Sequence, residues 1–295
     1  MTISVSKLPY RSVSESLTVK MVMTPRKDFL FFKSDVKVIV ALEKMDRYNH
    51  DVAPVTKNGV MQWFVEREDL RNSDPFLPLR EVAKNISVKH IISEQTKMED
   101  LLGLLAKEEF FFVIGKKELT GIVTCADLNK RPVKMLFYLL ISELEARLVD
   151  MIKCRFPQIK DSLQHLRASQ KTEIEEIHKG SKQGNSEISI EEYFTTTHVM
   201  TIVERDEPLR KQLRYTSREQ AEKNLDPIII MRNSIMHPRS LVEDKKQVQK
   251  LKQRYDTITD LLKTICENTE ANGNKEKPAG GEALLDTPYL EPLSS

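Results

Sequence analysis

Residues 226–238 read Asp-Pro-Ile-Ile-Ile-Met-Arg-Asn-Ser-Ile-Met-His-Pro, placing a guanidinium (Arg232), an amide (Asn233) and an imidazole (His237) within one short stretch. Asp226 and Pro227 read as a helix start, giving a short helix of about nine residues. Pro238 disfavours helical geometry at the residue before it, so the helix is expected to stop at His237. On an ideal helix Arg232 and His237 lie about 140° apart, whereas Asn233 and His237, four apart, share a face. Ending the helix at His237 frees the imidazole to turn toward Arg232. These groups suit cleavage of RNA without a metal. The 2′-OH loses a proton as it attacks the phosphate, and the leaving 5′ oxygen gains one. The His237 imidazole can serve as acid or base. Arg232 can stabilise the charged phosphorane through paired hydrogen bonds, and Asn233 can orient the phosphate or the imidazole. A structural reading stands beside this one: His237 caps the last carbonyls, and Arg232 pairs with Glu143 or Glu145.

A second constellation is Gly121-Ile-Val-Thr-Cys-Ala-Asp127-Leu. It reads as a strand running into a helix. The Thr124 hydroxyl and the free N–H groups of a helix N-terminus can hold a phosphate, and the Asp127 carboxylate can accept both hydroxyls of a ribose. The same spacing is also an ordinary capping box, with Thr124 as N-cap and Asp127 at N3. Phe110, Phe111 and Phe112 offer either a stacking face or a buried strand.

The elements that position these groups fall into two halves. Residues 21–130 contain an internal repeat of strand, helix, strand, tight turn, strand and short helix, with a shift of about 58 residues. The first copy has an apolar run at Phe29 to Phe32. A helix capped by Ser34 follows, with Val36, Ile39, Val40 and Met45 on its face. Strands at Val52 to Val55 and Val60 to Val65 then flank a turn at Lys57-Asn58-Gly59. The second copy has strands at Val88 to Ile92, Phe110 to Ile114 and Leu119 to Val123, and a helix opened by a capping box at Thr96 to Glu99.

After Lys130 the periodicity is helical only. A long helix spans Met135 to Cys154, with Leu136, Leu140, Leu144, Leu148 and Met151 at helical spacing, and Phe156-Pro157 ends it. A second helix is expected over about Ile159 to His178, using Leu163, Leu166, Ile174 and Ile177. A loop follows at Gly180 to Ser186, then a helix capped at Ser189-Ile-Glu-Glu192. Short helices are expected near Leu209 and Glu219. The last helix is opened by a box at Ser240-Leu-Val-Glu243 and reaches about Ile265. From Glu267 the composition is that of a disordered tail.

Composition bounds the function. The chain of 295 residues is 40% hydrophobic and 31% charged, an ordinary globular balance long enough for two cores. The most apolar stretch, Pro132 to Ile141, is half the length a bilayer span requires. Met1 to Ser16 has no apolar run, so a cytoplasmic protein without membrane contact is expected. Cys125, Cys154 and Cys266 are far apart, with no zinc-like spacing, and read as reduced thiols. Residues 205–254 hold thirteen Lys/Arg against seven Asp/Glu, while the last 29 residues hold two Lys against six acidic groups. The basic stretch suits a polyanion or a solvated helical surface. No segment reads as a recognition helix-turn-helix.

Residues 21–130 resemble a tandem pair of CBS domains (after cystathionine β-synthase), with repeats at about 21–75 and 80–130. Met21-Val-Met-Thr-Pro25 looks like the characteristic lead-in, and Gly-Ile-Val-Thr-x-x-Asp like the ligand signature. The resemblance implies a pseudo-twofold pair with clefts for AMP, ATP or a related adenine nucleotide as regulatory ligand, held by Thr124 and Asp127. The first copy departs from the pattern. Glu66 stands where a threonine is expected and Trp63 replaces a glycine, although Asp69 is kept. One competent cleft and one weakened cleft are therefore expected. Residues 131–266 resemble the HEPN superfamily (higher eukaryotes and prokaryotes nucleotide-binding) through Arg232-Asn-Ser-Ile-Met-His237 and a long opening helix with Ser142-Glu-Leu-Glu145. That resemblance implies an endoribonuclease with no catalytic cofactor or metal. It further implies a homodimer whose two copies of Arg232, Asn233 and His237 build one composite site, with Glu143 and Glu145 as possible supports. The expected architecture is an α+β multidomain chain: an N-terminal segment (1–20), a tandem βαββα CBS pair (21–130), an all-α HEPN-like bundle (131–266) and a disordered tail (267–295). The expected function is a nucleotide-regulated, RNA-cleaving stress or defence effector. The alternative is a nucleotide-sensing adaptor whose helical part only dimerises or binds a partner.

Overall fold

The computed structural model describes residues 9–116, 118–183, 188–237 and 239–275. Eight strands build two four-stranded sheets: β1 (Thr24–Pro25), β2 (Phe32–Lys33), β3 (Val52–Lys57), β4 (Val60–Glu66), β5 (Lys84–Asn85), β6 (Ile91–Ser93), β7 (Phe110–Ile114) and β8 (Leu119–Thr124). Their orders are β2-β3-β4-β5 and β1-β8-β7-β6. Each sheet thus takes one edge from the segment that leads into the other repeat. β1 runs antiparallel to β8, and β5 antiparallel to β4. This reciprocal exchange makes the internal repeat a pseudo-twofold pair. The hairpin between β3 and β4 turns at Asn58 (φ 52°) and Gly59 (φ 79°), both left-handed, as the Asn-Gly dipeptide dictates.

The helices are α1 (Pro9–Ser14), α2 (Val38–Tyr48), α3 (Arg67–Arg71), α4 (Leu79–Val82), α5 (Met98–Leu105), α6 (Arg131–Arg155), α7 (Ala168–Gln183), α8 (Thr196–Arg205), α9 (Glu207–Gln212), α10 (Arg218–Met236) and α11 (Lys245–Lys275). The first repeat has a small core of its own, from Phe32, Val38 and Met45 to Leu70 and Leu79. The second does not. Its Met98, Leu101, Leu105, Phe111 and Val123 join one continuous core with Leu136, Leu140 and Leu144 of α6 and Leu251, Ile258 and Leu262 of α11. A third, aromatic cluster of Phe29, Phe64 and Phe112 with Val52 and Ile122 joins the two sheets. Tyr10, Leu17 and Val19 also lie in the large core. The described part of the N-terminal segment thus packs on the same core as the second repeat and the helices, and apolar packing continues across residue 130.

Several element boundaries differ from the sequence reading. α2 starts at Val38 after Lys37 rather than at Ser34, and it buries Val38, Ala41 and Met45 while Ile39 and Val40 face outward. Val88 opens a 3-10 turn (Val88–His90) rather than a strand, and α5 starts at Met98 without a Thr96 cap. The expected Ile159–His178 helix splits into a 3-10 turn (Ile159–His165) and α7, leaving Ile177 exposed. Gly180–Gln183 belongs to α7, and residues 184–187 of the expected loop lie outside the described residues. Ser189 heads only a 3-10 turn (Ile190–Tyr193), and the true third helix is α8, capped by Thr195 with His198 in a capping box.

The expected helices at Glu219 and Asp226 are one, capped by Ser217 and carrying Pro227 inside it. Proline removes one hydrogen bond there, but Ala221, Leu225, Ile228 and Met231 form an unbroken buried stripe across it. α11 is capped by Asp244, whose Oδ1 accepts the Gln247 N–H at 2.8 Å, not by Ser240. It runs to Lys275, past the expected start of the tail. Arg214 pairs with Glu267 at 2.7 Å, and the Asn268 amide donates to the Gln212 carbonyl at 2.7 Å, which ties that end down. Residues 276–295 lie outside the described residues.

Candidate functional site

α10 ends at Met236, and His237 adopts an extended conformation (φ −110°, ψ 158°), the geometry expected ahead of a proline; Pro238 itself lies outside the described residues. The Lys134 ammonium at the start of α6 donates to the His237 carbonyl at 3.1 Å and the Arg239 carbonyl at 2.8 Å. The helix end is thus capped by a lysine, and the His237 side chain is exposed.

Arg232 lines a small pocket of about 110 Å³ with Tyr138, Ile141, Ser142 and Glu145 of α6 and with Ile235 and Met236. Among the described residues Arg232 makes no ion pair with either proposed glutamate. Glu143 is held by Arg147 at 2.8 Å one turn away, and Glu145 accepts from the buried Thr196 hydroxyl. Glu145 therefore faces Arg232 across the pocket, and Glu143 does not line it. Asn233 and His237 do not line it either. One chain brings together the guanidinium, Ser142 and Glu145, but not the whole triad. Tyr138 and Met236, which line the pocket, are each about half exposed (51% and 55%).

Part of the basic stretch is committed to local structure. Lys211 pairs with Glu207 at 2.6 Å, Arg218 with Glu222 at 2.7 Å and Lys252 with Asp256 at 2.5 Å. Arg205 and Arg210 donate to the backbone carbonyls of His165 and Glu204. The positive charge at those positions is that of paired helical surface rather than of a free polyanion track.

Thr124 closes β8 and caps a 3-10 turn (Cys125–Asn129). The Asp127 Oδ2 accepts the Thr124 N–H at 2.7 Å and its hydroxyl at 3.3 Å, and the Asp127 Oδ1 meets the Lys130 ammonium at 2.6 Å. Asp127 is only 6% exposed, so the capping-box reading is the one its geometry satisfies. Thr124, Cys125, Ala126 and Asn129 line a cleft of about 770 Å³, whereas Asp127 turns inward. The opposite wall comes from the first repeat (Asp51, Glu66, Arg67, Arg71), and a third wall from residues 242–245. Phe110 lines the cleft, while Phe111 and Phe112 are core. Seven carboxylates (Asp51, Glu66, Glu68, Glu108, Glu109, Glu243, Asp244) face it against Arg67, Arg71 and Lys245. Arg67 and Arg71 are already engaged by Asp51 and Asp46. Burial pushes the Cys125 thiol up, away from reactive thiolate character.

At the matching end of the first repeat, the Lys84 ammonium sits 2.6 Å from Asp69 and 2.7 Å from Glu66. Its hydrogen bonds to Asp69 and Glu66 hold its pKa above the ordinary lysine value. The position where the signature would offer a hydroxyl is closed by an internal ion pair. Trp63 stands opposite Asn85 of β5. The corresponding Gly121 is required, because a Cβ there would meet the Met23 Sδ at 2.7 Å and the Thr24 carbonyl at 2.8 Å.

The sequence reading missed Asn129, whose side chain bridges to residues 241 and 242, and Lys134 at the helix end. No local spacing connects positions more than 100 residues apart. It also missed Glu204, 6% exposed on α8, with Oε1 lacking a hydrogen-bond partner. Burial, reinforced by Asp226 and Glu222, raises its pKa to about 7. Among the described residues no cluster of three or more His, Cys, Asp or Glu is placed to hold a metal ion, and no helix is long and apolar enough to cross a membrane.

This is a mixed α+β chain whose first half is a strand-exchanged pair of repeats and whose second half is a helical bundle. The sequence matches no protein-family model and no curated protein. Solved structures similar to it carry CBS domains. The CBS domains of a transcriptional regulator from Streptococcus pneumoniae share 20% identity, covering 38% of this chain and 97% of that one, with a TM-score of 0.35. The CBS-pair protein CBSX2 in complex with AMP shares 20% over 41% of this chain and 98% of that one (TM-score 0.35). The CBS domain of a bacterial CNNM/CorC family Mg²⁺ transporter in complex with ATP shares 16% over 40% and 89% (TM-score 0.35).

Proposed function

We propose that the protein is a ribonuclease of the HEPN type, governed by a nucleotide held in the cleft of a CBS pair. The observation that carries the catalytic part is Arg232, a guanidinium without an ion pair among the described residues, in a pocket beside Glu145 and Ser142, with His237 released at the end of the same helix. In the reaction the RNA 2′ oxygen attacks the adjacent phosphorus and the bond from phosphorus to the 5′ oxygen breaks. His237 takes the 2′ proton or supplies one to the 5′ oxygen, and Arg232 holds the charge that grows on the phosphorane. Asn233 orients the phosphate. The half-exposed Tyr138 and Met236 line the pocket with Arg232, and exposed apolar side chains around a polar centre suit an isologous contact. A second copy would then supply the His237 that one chain leaves outside the pocket.

The nucleotide part rests on Thr124 and Phe110 lining one cleft, with a phosphate binder and an aromatic face on opposite strands. Seven carboxylates against three cations repel a bare polyphosphate, so the ligand enters as its magnesium complex. Asp69, clamped by Lys84, takes no part. Asp127 acts on the ribose only once its contact with Lys130 opens.

Incubation of the purified protein with total RNA, with and without AMP or magnesium-ATP, tests the reading. Arg232→Ala and His237→Ala are each expected to lower cleavage by about 10²-fold or more, with products ending in a 2′,3′-cyclic phosphate. Cleavage surviving in both variants would sink it. A second reading, an adaptor that senses nucleotide without cleaving, is favoured by the absence of Asn233 and His237 from the Arg232 pocket. No cleavage under any nucleotide, with binding retained, selects that reading.

A further inference from the structure

The cleft beside Thr124 is closed on one side by the segment that follows the Arg232–His237 helix. Val242, Glu243, Asp244 and Lys245 line it directly. This segment is fixed at one point by a single side chain. The Asn129 Oδ1 accepts the N–H groups of Leu241 (2.6 Å) and Val242 (3.0 Å), and its Nδ2 donates to the Val242 carbonyl at 2.7 Å. Asn129 is the last residue of the 3-10 turn that Thr124 caps, and it lines the cleft as well. Val242, 2% exposed, is anchored in the large core. Upstream, Lys134 holds the carbonyls of His237 and Arg239. α6 begins at Arg131, two residues after Asn129. The turn and the start of α6 that follows it therefore hold the chain after α10 at two places, Asn129 at Leu241 and Val242 and Lys134 at His237 and Arg239.

We propose that Asn129 is the positioning residue through which the occupant of the cleft sets the Arg232–His237 helix end. The proposal rests on the nucleotide reading above. A ligand seated on Thr124 to Ala126 touches the turn that ends in Asn129 and also touches residues 242–245. Moving the turn moves Leu241 and Val242 with it, because three hydrogen bonds converge on one amide. The amide makes this possible: it accepts twice and donates once, a set that neither a carboxylate nor a hydroxyl reproduces in full. Differential contact with two positions of the segment is what a coupling between sites requires.

Hydrogen exchange on the full chain, with AMP or magnesium-ATP as probe and calorimetry alongside, tests this. In the wild type, binding is expected to change the exchange of Leu241 and Val242 by about tenfold and to change that of residues 232–237 measurably. Asn129→Leu removes all three bonds. At nucleotide concentrations that calorimetry shows to saturate this variant, the exchange response at 232–242 should disappear. Asn129→Asp keeps both accepted bonds and should retain most of the response, which separates positioning from general damage to the fold. Wild-type binding with residues 232–242 unaffected overturns the proposal, as does a full response in Asn129→Leu. If calorimetry detects neither nucleotide, the nucleotide reading fails first and the proposal fails with it.

Discussion

The two repeats follow the same path through their sheets and end differently. The first finishes in Glu66 and Asp69, bridged by Lys84 at the surface, over a core that contains only its own residues. The second finishes in Thr124, half-buried at the cleft, and Asp127, buried and tied to Lys130, over a core that runs into α6 and α11. The difference teaches that a duplicated unit need not duplicate its coupling. A ligand at the second end would act on a core shared with the helices, whereas the first repeat is joined mainly through the aromatic cluster of Phe29, Phe64 and Phe112.

The largest expected effect breaks or confirms that division of cores. Leu128→Ala, fully buried in the shared core, should cost about 2–5 kcal/mol and melt the helices together with the second repeat. Leu79→Ala, equally buried in the first repeat, should cost a similar amount yet leave the helical circular-dichroism transition near its wild-type midpoint. One shared transition in both variants would remove the distinction.

Next in size is pH. Glu204 has a folded pKa of about 7 against the ordinary glutamate value of 4.5, so the folded protein takes up a proton between those values. Its stability contribution is fully present below the unfolded value and is lost as pH rises through about 7. Glu204→Gln should therefore stabilise the helical half by about 2 kcal/mol at pH 8 and by little at pH 4.5. Denaturant midpoints at the two pH values decide it, and the first repeat should not respond.

The two motif ends give smaller and opposite results. Removing Asp127 leaves the Thr124 N–H without its partner and takes the carboxylate from Lys130, which keeps the Val22 carbonyl, so Asp127→Ala should cost about 1–3 kcal/mol. Asp69→Ala breaks a half-exposed pair and should cost about 0–1 kcal/mol. Equal costs, read by thermal denaturation, would mean that the two ends are alike after all.

Much of this asymmetry is legible in the residues. Glu66 and Trp63 mark the first repeat as the departing copy, and Asn58-Gly59 and Phe110 to Ile114 place a turn and a strand where they form. The ending of α10 ahead of His237 follows from Pro238 in the sequence. What the sequence hides has physical causes. Thr195-Thr-Thr-His-Val-Met-Thr-Ile-Val203 is rich in β-branched residues and reads poorly as a helix. It becomes α8 because neighbouring helices bury nearly all of it. Pro227 reads as a start because local rules favour proline in the first turn, but the buried stripe from Ala221 to Met231 carries the helix through it. The shared core is invisible to periodicity, which reports that a face is apolar and not which element covers it. The Arg232 pocket was half legible: the helix and its residues were, but the Glu145 opposite was one of two candidates.

The exchanged edge strands also set an order of assembly during synthesis. The first sheet is complete once Asn85 has emerged, because β5 follows β4 closely. β1 leaves the ribosome almost 100 residues before its partners Gly121 and Ile122 exist. Through that interval the lead-in strand has no sheet to join, and the apolar residues Leu17, Val19 and Val22 wait with it. The nascent chain thus holds a finished first repeat beside an unfinished remainder, and that remainder closes only when α11, the last helix described, reaches the core.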